Sequence, residues 1–343
     1  MPDKYKAVWL SHSSINNYEK CPRLYYLANV YKDKKTNNKI TIVTPHMSLG
    51  SAVHMVLEPL MKIKNEERKN VNLLSKYKDV WNMFTGEKGG FATLPNNEIS
   101  EEEKTFYEKG ELMLRNVQNN FNTNNSIVDN SNEFILNKKS IRQSLYYKGD
   151  MIPNIIISQK ENIILCGSID WIVYEVKVVP EGNSVVEITV LDFKTGKNEE
   201  SDESRQLPIY KILFEGLQNK WKVNRYAYYY LLNDEIKYKD WNDNINTDKN
   251  LDGNKGIDNV CQNIIDEAIK IGIEIREKRY VCKWSADKSY IEDYKVRPDV
   301  ESNFKCRKGD GGCRDCAPYE AIINGKAKYV GIGTYGQDAY IIV

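Results

Sequence analysis

Two aspartates and a lysine have the residue types and the spacing for hydrolytic chemistry. Asp170 ends the run Gly167-Ser168-Ile169-Asp170, and Asp192 and Lys194 lie in Leu191-Asp192-Phe193-Lys194-Thr195-Gly196. Between them stands Pro180-Glu181-Gly182-Asn183-Ser184, a run of turn formers. The flanks, Ile163 to Lys177 and Val185 to Lys194, are rich in β-branched and aromatic residues and predict two antiparallel strands. In a hairpin, residues equidistant from the turn face each other, and Asp170 and Asp192 are each 11 residues from position 181. Unbulged pairing puts both carboxylates on one sheet face, within cross-strand reach. Lys194, two residues beyond Asp192, points to the same face. Paired carboxylates suit a hard divalent cation, and an adjacent ammonium adds the positive charge that phosphodiester hydrolysis needs.

The elements that must hold this trio can be traced along the chain. Ser11 to Tyr31 is expected to be a helix, capped by Ser11 or Ser13, with a kink or restart at Cys21-Pro22. Residues 32–45 are polar and loop-like, and Met47 to Lys64 is expected to be a second helix carrying Gly50 and His54 four apart on one face. Asn65 to Asn97 has no decisive pattern. Ser100 to Phe121 fits a helix opened by a Ser100-x-x-Glu103 capping box, and Asn116 to Asn132 fits an Asn-rich loop. Strands are expected to dominate from Glu133 to Lys194, followed by a helix over Ser201 to Gln218. A strand then covers Lys222 to Leu232, with Tyr226, Tyr228 and Tyr230 on one face. Asn233 to Asn254 looks like a surface insertion, Ile257 to Lys278 a helix, 297–320 a cysteine-bearing loop, and Lys326 to Val343 a late strand pair. This order predicts an α/β chain with a mixed sheet flanked by helices.

The 343 residues include 41% hydrophobic and 28% charged residues, which places the chain in the soluble globular class. No apolar run approaches the ~20 residues of a membrane span, so no membrane partner is expected. Met1-Pro2-Asp3-Lys4 shows no signal peptide, and a cytoplasmic location is the default expectation. The formal net charge of +1 does not point to nucleic acid, but its distribution does more. Residues 1–40 carry a local net charge of +5 and residues 276–308 one of +4, while Glu98, Glu101, Glu102, Glu103, Glu108 and Glu111 form an acidic helical patch. Opposite charges on different faces are compatible with a basic groove for DNA, although solvated surface is the ordinary explanation of any one cluster.

Four further segments flank the trio in a telling order: Gly50-Ser51-Ala52-Val53-His54 before it, Gln206-Leu207-Pro208-Ile209-Tyr210 after it, and Leu10-Ser11-His12-Ser13-Ser14-Ile15 with Tyr18-Glu19-Lys20-Cys21-Pro22-Arg23 at the start. Each alone has a bland reading. A lone histidine on an apolar helix is usually structural, a turn-flanking aspartate is usually a cap, and Gln206 with Tyr210 can be ordinary packing. Together they resemble the PD-(D/E)XK phosphodiesterase superfamily. The closer likeness is to its RecB-like branch, which includes the RecB and AddB nuclease domains and the CRISPR-associated RecB-like exonucleases. The resemblance runs from about Leu10 to Pro318. It implies a single restriction-endonuclease-like domain over 1–343, with a helical N-terminal region and core elements at about 10–64 and 160–232. Insertions fall at about 65–160 and 233–255, and the segment 297–320 bears the cysteines.

What the resemblance implies for the site is specific. Asp170, Asp192, His54 and the backbone carbonyl of Phe193 would hold Mg²⁺ or Mn²⁺. Many members place a second acid at the position of Phe193, so its absence makes His54 more necessary. Lys194 would orient or activate the attacking water and stabilise charge at phosphorus, and Gln206 and Tyr210 would position the lysine region and the DNA. Of the seven cysteines, Cys21, Cys306, Cys313 and Cys316 have the one-plus-three layout by which several RecB-like nucleases hold a [4Fe–4S] cluster. The spacing departs from the family's usual order, because here the two-residue gap comes last and Ile322 stands where a terminal cysteine would fall. Zinc and plain packing remain open beside the cluster. Cys166, Cys261 and Cys282 are expected to be buried thiols. Gly331-Ile332-Gly333-Thr334-Tyr335-Gly336 fits G-x-G-x-x-G, but no βαβ unit follows it before Val343, so a turn between late strands is expected.

The resulting expectation is a metal-dependent DNA nuclease, an exonuclease on ends or single strands in recombination, repair or replication. It carries no helicase motif and would act alone or with a helicase or recombination partner. A catalytically silent DNA-binding or assembly subunit and an RNA-directed nuclease are the alternatives.

Overall fold

The computed structural model describes residues 4–92, 94, 98–122, 153–178, 184–197, 200, 204–217, 221–239, 255–309 and 312–342. In chain order its elements are β1 (Val8–Leu10), α1 (His12–Lys20), α2 (Pro22–Tyr25), β2 (Ile40–Ile42), α3 (Pro45–Leu57), α4 (Asn65–Arg68), α5 (Leu73–Trp81), α6 (Glu101–Asn122), β3 (Asn154–Ser158), β4 (Ile163–Cys166), β5 (Trp171–Val178), β6 (Ser184–Lys194), α7 (Gln206–Leu217), β7 (Arg225–Tyr230), β8 (Glu235–Lys239), α8 (Lys255–Arg279), β9 (Tyr280–Trp284), β10 (Ile291–Val296), α9 (Val300–Asn303), α10 (Ala317–Ile323), β11 (Ala327–Ile332) and β12 (Asp338–Ile342). The class is mixed α/β, as the sequence predicts. The fold divides into two compact units, one of residues 1–42, 152–167 and 257–343, the other of residues 43–151 and 168–256.

The second unit is built on a four-stranded sheet ordered β5-β6-β7-β8. β5 and β6 run antiparallel, β6 and β7 parallel, and β7 and β8 antiparallel. Alternation sorts the side chains. Trp171, Val173, Leu191, Phe193, Ala227 and Tyr229 face one way and join residues of α3, α5 and α6 in one core. Asp192 and Lys194 face the other way, toward α7. α3 starts where Thr44 caps it, its Oγ1 accepting from the Met47 amide at 3.3 Å, with Pro45 in the first turn. The helix ends at Leu57, and Glu58–Lys62 continues as 3₁₀ turns around Pro59 rather than as α-helix to Lys64.

Several expectations change in this unit. The first arm of the hairpin is not one strand from Ile163 to Lys177. β4 stops at Cys166, and β5 begins at Trp171 after Gly167, Ser168 and a bend at Asp170. The Asn-rich run does not begin as a loop, since α6 extends through Asn122. Its asparagines instead bond across to the sheet: Asn116 donates to the Leu231 carbonyl at 2.8 Å, and Asn120 to the Tyr229 hydroxyl at 2.6 Å. Ser100 caps α6 by accepting from the Glu103 amide at 3.1 Å, but Glu103 does not complete the box. Its carboxylate accepts from the Gly86 amide at 3.0 Å and is buried, so it is no part of an acidic surface. Asn233 to Asn254 is not all insertion, because β8 pairs along β7. Residues 73–122 contribute Tyr77, Trp81, Met113, Leu114, Val117 and Phe121 to the core.

Among its described residues the first unit contains three small sheets: β1-β4-β3, β10-β9, and β11-β12-β2. β2 falls within the stretch expected as loop, and pairs in parallel with β12. The first helix forms as predicted from Ser11. This residue makes a reciprocal capping box with Ser14, and the helix breaks at Cys21-Pro22. A π-helical turn follows over Tyr26–Val30. Arg276, counted in the basic stretch 276–308, is buried and ion-paired with Glu161, so that stretch offers less surface charge than its composition implies. Gly333 to Gly336 turns between β11 and β12, as expected. Cys261 is buried, but Cys166 and Cys282 are only partly so. Expectations for 123–152, 179–183, 201–203, 218–220 and 240–254 lie outside the described residues.

Candidate functional site

The hairpin register is the foundation of the site. Trp171 pairs with Leu191, and each step along β5 is matched by one along β6 without a bulge to Val178 opposite Ser184. One step beyond Trp171 in that register, Asp170 falls opposite Asp192. Asp170 lies in the bend before β5, and its Oδ2 accepts from the Phe193 amide at 3.0 Å. Its Oδ1 is 3.6 Å from Nδ1 of His54, on the α3 side. The His54 ring packs edge-on against Phe193 at 6.3 Å between centroids. His54 reaches this position because α3 passes close to the end of β6. A Cβ on Gly50 would stand 3.3 Å from the Thr195 hydroxyl, so a larger residue would press the helix away.

Asp192 is 3% exposed, and its neighbours saturate it. Oδ2 is 3.0 Å from the Lys194 ammonium. Oδ1 accepts from the Gln206 amide at 2.7 Å and from the Tyr210 hydroxyl at 3.2 Å. Gln206 and Tyr210, one helical turn apart on α7, also bond each other at 2.9 Å. Lys194 in turn donates to the Gln206 carbonyl oxygen at 2.7 Å and to Glu200 at 2.9 Å, and lies 4.9 Å above the Tyr228 ring. The Glu200 amide is anchored by the Tyr230 hydroxyl at 2.9 Å.

The electrostatics follow from this crowding. Burial, then the nearby Asp170 carboxylate, push Asp192 up to about 7 despite Lys194. Burial alone would lower Lys194, but Asp192 and Glu200 outweigh it and hold the ammonium well above its ordinary value. Loss of solvation lowers His54, so its imidazole is neutral and available as a ligand near pH 7. Burial and Asp192 raise Tyr210, which stays a phenol and a donor.

All six side chains singled out in this region are therefore neighbours within one unit. The donors are mostly hard oxygens, two carboxylates and the Phe193 main chain, with one borderline imidazole beside them. That set fits a divalent cation. It is an open set. Among the described residues, only the four cysteines bring three or more such ligand atoms all within 4.8 Å of one another. Asp192 spends its oxygens on Lys194, Gln206 and Tyr210, contacts that a bound cation would have to share.

Sequence reasoning missed Glu200, Tyr228 and Tyr230. Glu200 follows Glu199 in a polar run and looks like surface charge. The two tyrosines carried a signal, since β7 sets Tyr228 beside Asp192 and Tyr230 beside Lys194.

The cysteines converge in the other unit. Cys21, Cys306, Cys313 and Cys316 are unpaired by disulfides and bring their four sulfurs within 4.8 Å of one another. Four thiols suit either an iron–sulfur cluster or a single soft metal ion.

No match emerges when the chain is compared with curated proteins, and none when it is compared with solved structures. The family model of the PD-(D/E)XK nuclease superfamily matches residues 9–319, a span that contains the hairpin, α3, α7 and all four converging cysteines. With that match over most of its length, the chain belongs to the PD-(D/E)XK nuclease superfamily.

Proposed function

We propose that this chain is a divalent-metal-dependent deoxyribonuclease of the RecB-like branch, an exonuclease that attacks DNA ends or single strands. The superfamily supplies the coarser statement, a nuclease that uses divalent metal. The observation that supports a hydrolytic site is the Asp192 cluster, where a buried carboxylate is met at once by Lys194, Gln206 and Tyr210, one step beyond the Trp171–Leu191 pair. A packing role has no need for so much unneutralised charge, since burying carboxylates costs stability unless something compensates.

In this reading Asp170, Asp192, His54 and the Phe193 carbonyl hold Mg²⁺ or Mn²⁺. The bound cation supplies Lewis acidity and a water of lowered pKa. Lys194 remains protonated and donates to a phosphate oxygen, neutralising charge as it develops in the transition state. Asp192 and Glu200 favour its protonated form. Gln206 bridges Lys194 and Asp192, fixing the distance between the cation-binding edge and the ammonium. Tyr210 backs the same carboxylate oxygen. Phe193 contributes its main chain, and His54 replaces the acid that this position lacks.

The substrate preference is tested by offering end-labelled single-stranded DNA, duplex DNA and RNA side by side with Mn²⁺. Shortening of the DNA from its ends is expected. Cleavage of RNA alone would shift the assignment to the RNA-directed alternative.

A further inference from the structure

We propose that Cys21, Cys306, Cys313 and Cys316 hold a single zinc ion in a closed structural site, in place of the [4Fe–4S] cluster that the family resemblance implies. The argument is one of spacing. Cys313 and Cys316 sulfurs are 3.2 Å apart, Cys316 and Cys306 sulfurs 3.7 Å apart, and no pair among the four exceeds 4.8 Å. A tetrahedral zinc with bonds of ~2.3 Å has ligand–ligand edges of ~3.8 Å. In a [4Fe–4S] cluster each thiolate binds a different iron and points outward from it, which spreads the sulfurs far beyond such an edge. Four thiolates around one ion also complete the coordination of a structural zinc, with no open position.

The protein frames these thiols independently of any metal. Cys21 is fully buried at the break between α1 and α2, where an extended backbone and Pro22 end one helix and start the next. Cys313 and Cys316 sit on one tight turn. The Cys313 amide donates to the Cys316 sulfur at 3.3 Å, and the Cys316 amide to the Cys313 carbonyl at 3.2 Å. Gly312, with φ of +69°, lets the chain enter that turn. Around them, Arg23 donates to Glu320 at 2.6 Å and to Glu301 at 2.9 Å, and Tyr26 stacks on Phe304 at 5.4 Å. The same two segments that the ion would join are thus already pinned face to face. A preformed pocket of this kind limits the ordering cost of binding and selects for an ion of matching size. Zinc is redox-inert, so the site ties the N-terminal helices to the 306–316 segment and takes no part in electron transfer.

The test needs no substrate and so does not depend on the nuclease reading. The full chain is purified anaerobically without chelators from cells supplied with both iron and zinc. Zinc, iron and acid-labile sulfide are then counted and the visible spectrum recorded. The expected result is about one zinc per chain, no iron, no sulfide and a colourless protein. Cys316→Ser should lose the zinc, while Cys261→Ser, outside the set, should keep it. If Cys316→Ser does not fold, cobalt titration of the zinc-stripped wild-type chain replaces it, and the visible bands of a tetrahedral thiolate complex should appear and saturate with a single bound ion, whatever the carboxylate site takes up. A brown protein with iron and sulfide would overturn the proposal. So would a lone iron without sulfide, or a wild-type chain that takes up neither zinc nor cobalt.

Discussion

Position 193 tests how far the site depends on main chain rather than side chain. Phe193 packs into the core through its ring, between Trp171 and Tyr229, while its backbone faces Asp170 and His54. Phe193→Leu should therefore leave Mn²⁺ affinity within a few-fold of wild type. His54→Ala should weaken it by at least the ten- to hundredfold typical of losing a group that supports a metal site; isothermal titration calorimetry separates the two. The same titration should depend on pH. Asp192 is raised to about 7 without metal, so below that pH a proton occupies the carboxylate that the cation needs. Affinity should rise from pH 6 to 7 by about fivefold as the one proton is displaced, and level off above pH 8. A pH-independent affinity across this range would contradict a proton on Asp192 that competes with the cation.

At the scale of elements, the hairpin was the most legible part of the chain, because a turn signal and a period-two pattern fix register without any long-range information. Asp170, Asp192 and Lys194 could be paired on that basis alone. Gln206 and Tyr210 are legible as one face of a helix, and Ser11 as the cap of a different one, α1. What could not be read was tertiary. Nothing local says that Gly167 hands the chain from one sheet to another, that Asn116 and Asn120 bond to strand ends, or that Glu103 turns inward to Gly86. Short paired strands such as β2 and β8 escape notice because their partners, β12 and β7, decide whether they form. Packing of α6 on α5 makes one prediction at this scale. A Cβ on Gly110 would fall 2.0 Å from the Tyr77 hydroxyl, and Tyr77 is fully buried against Trp81 and Tyr107. Gly110→Ala should cost about 1–3 kcal/mol in thermal or urea unfolding, the usual penalty of overpacking. An unchanged unfolding midpoint would mean that α6 is free to move off α5.

For the whole molecule, the formal net charge is +1, and no helix among the described residues is long and apolar enough to cross a membrane. The two centres should respond differently to chelators. The carboxylate–imidazole set is open and oxygen-rich, so mild EDTA should abolish cleavage and added Mg²⁺ or Mn²⁺ should restore it. The buried cysteine site should keep its ion under the same treatment. Retained cleavage after EDTA would remove the divalent-metal requirement. The central claim, that Asp192 and Lys194 form the hydrolytic centre of a DNA nuclease, is tested most directly by one assay: end-labelled DNA with Mn²⁺ and the wild-type, Asp192→Ala and Lys194→Ala chains, each shown to be folded. The account predicts degradation by the wild type and a loss of at least 10²–10³-fold in both variants. Undiminished cleavage by the two folded variants would contradict it.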